Sequence, residues 1–163
     1  MRLNLITDQV QSIIDQAIKE ELTASHFYRH IANHMQRIGF FGAAKFFQGE
    51  SADELVHYQK HVDYLNDRGD IATTPPIQEI NIDVGSLEDA IFKAYKIETQ
   101  LELKYRDWYK TLLDIDVTTA GFFLEFLEIQ RKSIGEYGDL ISLVNLAEGN
   151  PSALLLIDQK MGS

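Results

Sequence analysis

Apolar and small residues recur at three- and four-residue intervals over four long stretches of the chain, the spacing of a single face of an α-helix. The first stretch, about residues 7–38, carries Val10, Ile13, Ile14, Ala17, Ile18, Ala24, Ser25, Tyr28, Ile31, Ala32 and Met35, and Gly39 reads as its stop. The second, about 41–68, runs through Ala43, Ala44, Phe47, Leu55, Tyr58, Val62 and Leu65 to Arg68-Gly69, so the two helices are expected to form an antiparallel hairpin. Residues 70 to 85 hold Thr73-Thr74-Pro75-Pro76 and little periodicity, as a long extended crossover would. Ser86-Leu87-Glu88-Asp89 then reads as a capped start for a third helix, about 86–113, with Leu87, Ala90, Ile91, Ala94, Ile97, Leu101, Tyr105, Trp108 and Leu112 on one face. A fourth stripe, about 118–147, includes Phe123, Phe126, Leu127, Ile134, Tyr137, Leu140, Ile141 and Val144, and Gly149-Asn150-Pro151 separates it from a short apolar segment, about 151–160. Helices of roughly 30 residues are each about 45 Å long. The pattern therefore predicts one all-α domain over residues 1–163: a four-helix bundle in up-down-down-up order, with a crossover between helices two and three and a short fifth helix.

At 163 residues, 45% of them hydrophobic, the chain suffices for one buried core and falls short of two. No run of about 18 apolar residues occurs and the amino-terminal residues do not follow a secretory leader pattern, so no membrane partner is expected. Cysteine is absent, which excludes disulfides and thiolate metal sites and fits a cytoplasmic protein. A net charge of -10 argues against nucleic acid or anionic lipid as partner, because both require a basic face, and leaves cations as the better match.

Polar residues interrupt the stripes near the middle of each long helix. In the first, the neighbouring positions predict an apolar residue at 21, yet the residue is Glu21. In the second, Glu50, Glu54, His57 and His61 fall inside or beside the buried face, and Glu54 and His57 stand one turn apart as an E-x-x-H pair able to hold the same or adjacent ions. Glu98 lies between Ala94, Ile97 and Leu101, and Gln130 between Phe126, Leu127 and Ile134. Taken singly, each is commonly an edge position of an imperfect face, and Gln130 an ordinary core amide. Glu21, Glu54, His57 and Glu98 together are harder to place so, because no Lys or Arg shares those stripes and buried unpaired carboxylates cost several kcal/mol each. Divalent cations resolve the conflict, and oxygen donors with one imidazole suit iron or manganese. Tyr28, two turns after Glu21 on the same face, could bond a ligand or give up an electron, or be a structural tyrosine. The row His26, His30, His34 points largely away from Glu21 and reads as solvated surface or subunit contact, and His61, one turn beyond His57, reads either as a group supporting a metal ligand or, the simpler case, as a core histidine bonded to a backbone carbonyl.

Those residues resemble the ferritins over essentially the whole chain. Glu21 to Tyr28 is similar to the family's first-helix motif, Glu50 to His57 to its second, and Tyr95-Lys96-Ile97-Glu98 and Leu127-Glu128-Ile129-Gln130 to its third and fourth. Asn150 to Asp158 resembles the short fifth helix of cage ferritins. The resemblance implies Glu21, Glu54 and His57 at one iron, Glu54 bridging, Glu98 at a second iron, and Gln130 close to it. It implies oxidation of Fe(II) by dioxygen or peroxide at two irons per subunit, with Tyr28 and Gln130 assisting, and storage of the ferric product in a 24-subunit cage of identical chains. Leu55 stands where the bacterioferritins carry a haem-ligating Met, and Glu128-Ile129-Gln130-Arg131 replaces their second E-x-x-H, so no haem is expected. Ile129, Lys132 and Ser133 replace the carboxylates of a third iron site found in some bacterial ferritins. Three other functions compete: a non-cage di-iron or manganese-iron oxidase, a twelve-subunit DNA-protecting mini-ferritin, against which the complete intrachain ligand set speaks, and a metal-free structural bundle.

Overall fold

The computed structural model describes residues 3–163, and residues 1 and 2 of the expected domain lie outside the described residues. It contains five helices: α1 (Asp8–Ile38), α2 (Phe41–Arg68), α3 (Leu87–Ile115), α4 (Val117–Ala147) and α5 (Pro151–Met161). Their ends are set by capping. Thr7, Ser86, Asp116 and Asn150 each accept a hydrogen bond from the backbone N–H three residues on, which satisfies a donor the helix itself leaves free. Gly39 and Gly69 close α1 and α2 in the left-handed conformation, at φ 97° and 96°. Between α3 and α4 the sequence pattern leaves a gap of four residues, whereas the structure needs only Asp116. Its main chain is extended at φ -156°, ending one helix, while its side chain caps the next at Thr119.

The start of α2 has a different cap. Phe40 offers no side-chain acceptor, and the first N–H groups are met instead by Asp158 of α5, which accepts from Gly42 at 3.1 Å and from Ala43 at 2.7 Å. Gly42 permits this approach, since a Cβ there would sit 1.9 Å from the Asp158 carbonyl oxygen.

Hydrogen bonds along the crossover, residues 70–86, settle its direction. Gln11 donates to the Ile71 carbonyl, Thr73 donates to Asp15, and the His30 ring lies 2.7 Å from the Ile82 carbonyl. Eleven crossover residues thus keep pace with nineteen helical ones, about 2.6 Å per residue, which is nearly extended chain. The crossover climbs α1 from the end of α2 to the far end of the bundle, so α3 sets off parallel to α2. The bundle order is therefore up, down, down, up, as the pattern predicts.

The core comes in two halves. One gathers Tyr28, Ile31, Met35, Phe47, Leu87, Ile91 and Tyr137, with α5 packed on it, and the other Val10, Ile14, Ile18, Leu65, Tyr105, Leu112, Phe123 and Phe126. Between them lies a layer of buried polar side chains: Glu21, Ser25, Ser51, Glu54, Glu98 and Gln130. Ser25 and Ser51 satisfy each other across α1 and α2, each hydroxyl 2.8 Å from the other's carbonyl. Leu55, expected on the buried stripe, is 44% exposed, because the α2 face turned inward is the one bearing Ser51, Glu54, His61 and Leu65.

Candidate metal centre

Each long helix sends a carboxylate or an amide into the middle layer, and α1 and α2 add Ser25 and Ser51. Glu21 is fully buried, and Glu54, Glu98 and Gln130 are 4% exposed or less, although the surrounding positions on every stripe are apolar. A bundle face repeats every three or four residues, so a Glu placed in register with Ala17, Ile18 and Ala24 must enter the interior when the helix packs. Glu21, Glu54 and His57 each bring a ligand atom within 4.8 Å of the others. His57 Nδ1 lies 3.2 Å from Glu54 Oε2 and 3.6 Å from Glu21 Oε2. Among the described residues no Lys or Arg pairs with Glu21, Glu54 or Glu98, and the ion pairs made by those cations all lie at the surface.

Glu98 sits apart from that trio and is held from both sides. The Tyr28 hydroxyl donates to its Oε1, and with the Gln130 amide turned so that its nitrogen faces Glu98, that nitrogen can donate to Oε2 at 2.6 Å and to the Glu98 main-chain carbonyl at 3.3 Å. Glu21 is held from one side only. The Tyr105 hydroxyl donates to Oε1, while Oε2 is buried without any hydrogen-bond partner. A charged oxygen left bare in a low-dielectric interior is costly, so Glu21 Oε2 is the atom that most needs a cation.

Without a metal, protons supply part of the missing charge. Burial, then the neighbouring carboxylates Glu21, Glu98 and Glu50, push Glu54 well above the usual carboxylate range. Burial also works on Glu21, but the neighbouring Glu54 carboxyl and His57 outweigh it and hold Glu21 down at about 2. Glu98 is pushed up to about 7 by burial, against the Tyr28 hydrogen bond. The trio therefore holds one ionised carboxylate beside one protonated carboxyl, and a divalent ion entering it would displace the proton.

Three contributors were not legible as such. Glu50 falls beside the stripe but outside the proposed ligand set. In the structure it receives a hydrogen bond from the Tyr137 hydroxyl at 2.9 Å, and burial pushes it up to about 7. Tyr105 and Tyr137 read as ordinary core members because their rings satisfy the stripe, and only the third dimension shows their hydroxyls reaching carboxylates. His61 is buried as expected, yet its Nε2 lies 2.8 Å from the Tyr105 hydroxyl rather than from a backbone carbonyl, because the facing α3 brings that hydroxyl within reach. Of the row on α1, His26 bonds the Leu22 carbonyl at the surface, His30 anchors the crossover, and none reaches the centre.

Comparison with known proteins bears on the family and the fold. The sequence profile of the ferritin-like domain matches residues 11–147. Over 160 residues the chain is 24% identical to a probable bacterial non-heme ferritin-like protein of Haemophilus influenzae, covering 98% of this chain and 97% of that one. It is 30% identical over 164 residues to a ferritin of Pacifastacus leniusculus, covering 91% and 84%. The open pore ferritin of the archaeon Archaeoglobus fulgidus superposes with a TM-score of 0.94 at 19% identity, over 98% of both chains. With five helices in this order and a profile match across most of its length, the chain belongs to the ferritin family.

Proposed function

We propose that this chain is a ferroxidase and iron-storage subunit. Fe(II) enters as substrate at Glu21, Glu54 and His57, a second Fe(II) is taken by Glu98 with Gln130 beside it, and Glu54 stands between them. Two ferrous ions side by side deliver two electrons together, so dioxygen with two protons becomes hydrogen peroxide, or peroxide with two protons becomes two waters. The carboxylates stabilise the rising ferric charge, and Tyr28 steadies Glu98 through its hydroxyl. In this reading the ferric product collects inside a 24-subunit cage of identical cytoplasmic chains, without haem. Among the described residues no helix is long and apolar enough to cross a membrane.

The observation that carries the reading is Glu21 Oε2, fully buried without a hydrogen-bond partner beside Glu54 and His57, with no Lys or Arg paired to it among the described residues. The test is to size the metal-free protein, add Fe(II) in air, and follow ferric absorbance beside the Glu54→Ala, His57→Ala double variant. A large hollow assembly whose fast oxidation disappears in the variant supports the proposal. Fast oxidation by a small oligomer would point to a non-cage oxidase, and oxidation no faster than in buffer would leave a structural bundle.

A further inference from the structure

The metal site has a support that none of its ligands supplies. We propose that Tyr105, backed by His61, is a positioning residue that reserves Glu21 as a one-oxygen ligand, an inference that rests on the metal site proposed above.

A carboxylate has two oxygens and can bind a metal through one or through both, so what engages each oxygen influences the mode. In Glu21 one is claimed. The buried Tyr105 hydroxyl donates to Oε1, which leaves only Oε2 to face His57 and the Glu54 carboxyl.

The rest of the hydrogen-bond accounting admits one arrangement. Tyr105 spends its single proton on Glu21, so the contact of 2.8 Å between its oxygen and His61 Nε2 must be made by a proton on that nitrogen. His61 then carries no proton on Nδ1, and Nδ1 is the ring atom that the structure leaves buried without a partner. The chain of donors runs one way, from His61 to Tyr105 to Glu21. A phenol that already accepts a hydrogen bond is a better donor, so the His61 contact strengthens the grip on Glu21.

Packing keeps both rings in place. Tyr105 stacks on Phe126 with centroids 5.2 Å apart at 2°, and His61 stacks on the same Phe126 at 4.2 Å and 16°. Trp108 and Phe123 close the remaining sides of Tyr105, which is fully buried. Neither polar tip has water to turn to. Glu98 differs in its support: Tyr28 donates to one oxygen, and the other faces the Gln130 amide rather than a tyrosine backed by a histidine.

Cobalt(II) added to the metal-free protein tests this, because its visible absorption reports coordination number and it does not consume oxygen here. Tyr105→Phe removes one atom and keeps the ring in its aromatic box. The variant is expected to bind Co(II) about tenfold or more weakly, the usual cost of losing a partner behind a metal ligand. Its bands are expected to lose intensity as Glu21 swings to bind through both oxygens. His61→Gln retains an N–H and should keep the parental spectrum, whereas His61→Leu should shift it toward that of Tyr105→Phe. Parental affinity and spectrum in Tyr105→Phe would overturn the inference while leaving the metal site intact. Absence of a Co(II) signal in the parent that Glu54→Ala, His57→Ala abolishes would overturn the site itself, and the role of Tyr105 with it.

Discussion

Replacing Glu98 by Gln should stabilise the metal-free protein, and only at neutral to alkaline pH. Burial raises the Glu98 carboxyl from 4.5 in the unfolded chain to about 7 in the fold. An acid raised in this way keeps its proton longer when folded, so its contribution is intact below pH 4.5 and is lost as pH climbs toward 7. At 1.36 kcal/mol per unit, the ionised carboxylate costs the fold about 3 kcal/mol at pH 8 and less than about 1 kcal/mol at pH 5. Gln carries no charge at either pH and has nearly the same shape. Tyr28 can donate to its amide oxygen, and Gln130 can accept from its nitrogen by turning its own amide over. His61, which burial lowers to about 4, acts in the opposite sense between pH 4 and 6.5, but it is common to both proteins and cancels in their difference. The assay is thermal or urea unfolding of metal-free parent and Glu98→Gln at matched protein concentration, followed by helical circular dichroism at pH 5 and pH 8. The variant should lead at pH 8 by about 3 kcal/mol and run nearly level at pH 5. Saturating Co(II) should reverse the order, because the variant has lost a ligand that only the metal rewards. A variant less stable than the parent at pH 8 without metal, or equally shifted at both pH values, would refute the reasoning.

Tyr28→Phe deletes the hydrogen bond that holds Glu98 down, so the acid limb of the iron-oxidation profile should move to higher pH; an unmoved limb in initial-rate measurements counts against it. Gly42→Ala places a Cβ 1.9 Å from the Asp158 carbonyl oxygen and should dislodge α5, seen as faster proteolysis near residues 148–151; unchanged cleavage would show that the approach is not close. Asp158→Ala removes both caps from the start of α2 and should lower stability by about 1–2 kcal/mol in thermal unfolding. Phe126→Ala opens a cavity beneath both His61 and Tyr105 and should cost about 3–5 kcal/mol, a loss that a smaller residue able to refill the space would lessen.

The bundle is visible in the sequence because long helices repeat their apolar face many times, and Gly39, Gly69 and Gly149-Asn150-Pro151 punctuate it, whereas the α3–α4 junction at Asp116 carries no Gly or Pro and the pattern leaves its bounds too wide. Glu21, Glu54, His57 and Glu98 stand out for the same reason: each is a polar, ionisable side chain on or beside a stripe that demands an apolar group. Tyr105 and Tyr137 are hidden by the same logic, since a tyrosine ring obeys the repeat and its hydroxyl leaves no trace in it. Asp158 is likewise silent, because its partners Gly42 and Ala43 lie more than a hundred residues away, and no local pattern signals a cap supplied across that distance. The inward angle of α2 depends on how Ser51 and Ser25 interlock, and for that reason Leu55 looked buried while lying exposed.

The layer that separates the two apolar halves also governs how the molecule breathes. With no ion in it, that level of the bundle is joined by a few hydrogen bonds and by carboxylates that repel one another, so amide exchange should reveal two halves opening on their own schedules. Ions bound through Glu21 of α1, Glu54 and His57 of α2, and Glu98 of α3 would rivet three helices together at that weak level. Loading would then do more than charge the protein with cargo: it would turn two loosely linked exchange units into one, and a handful of side chains at mid-height would decide whether about 45 Å of helix moves in sections or as a whole.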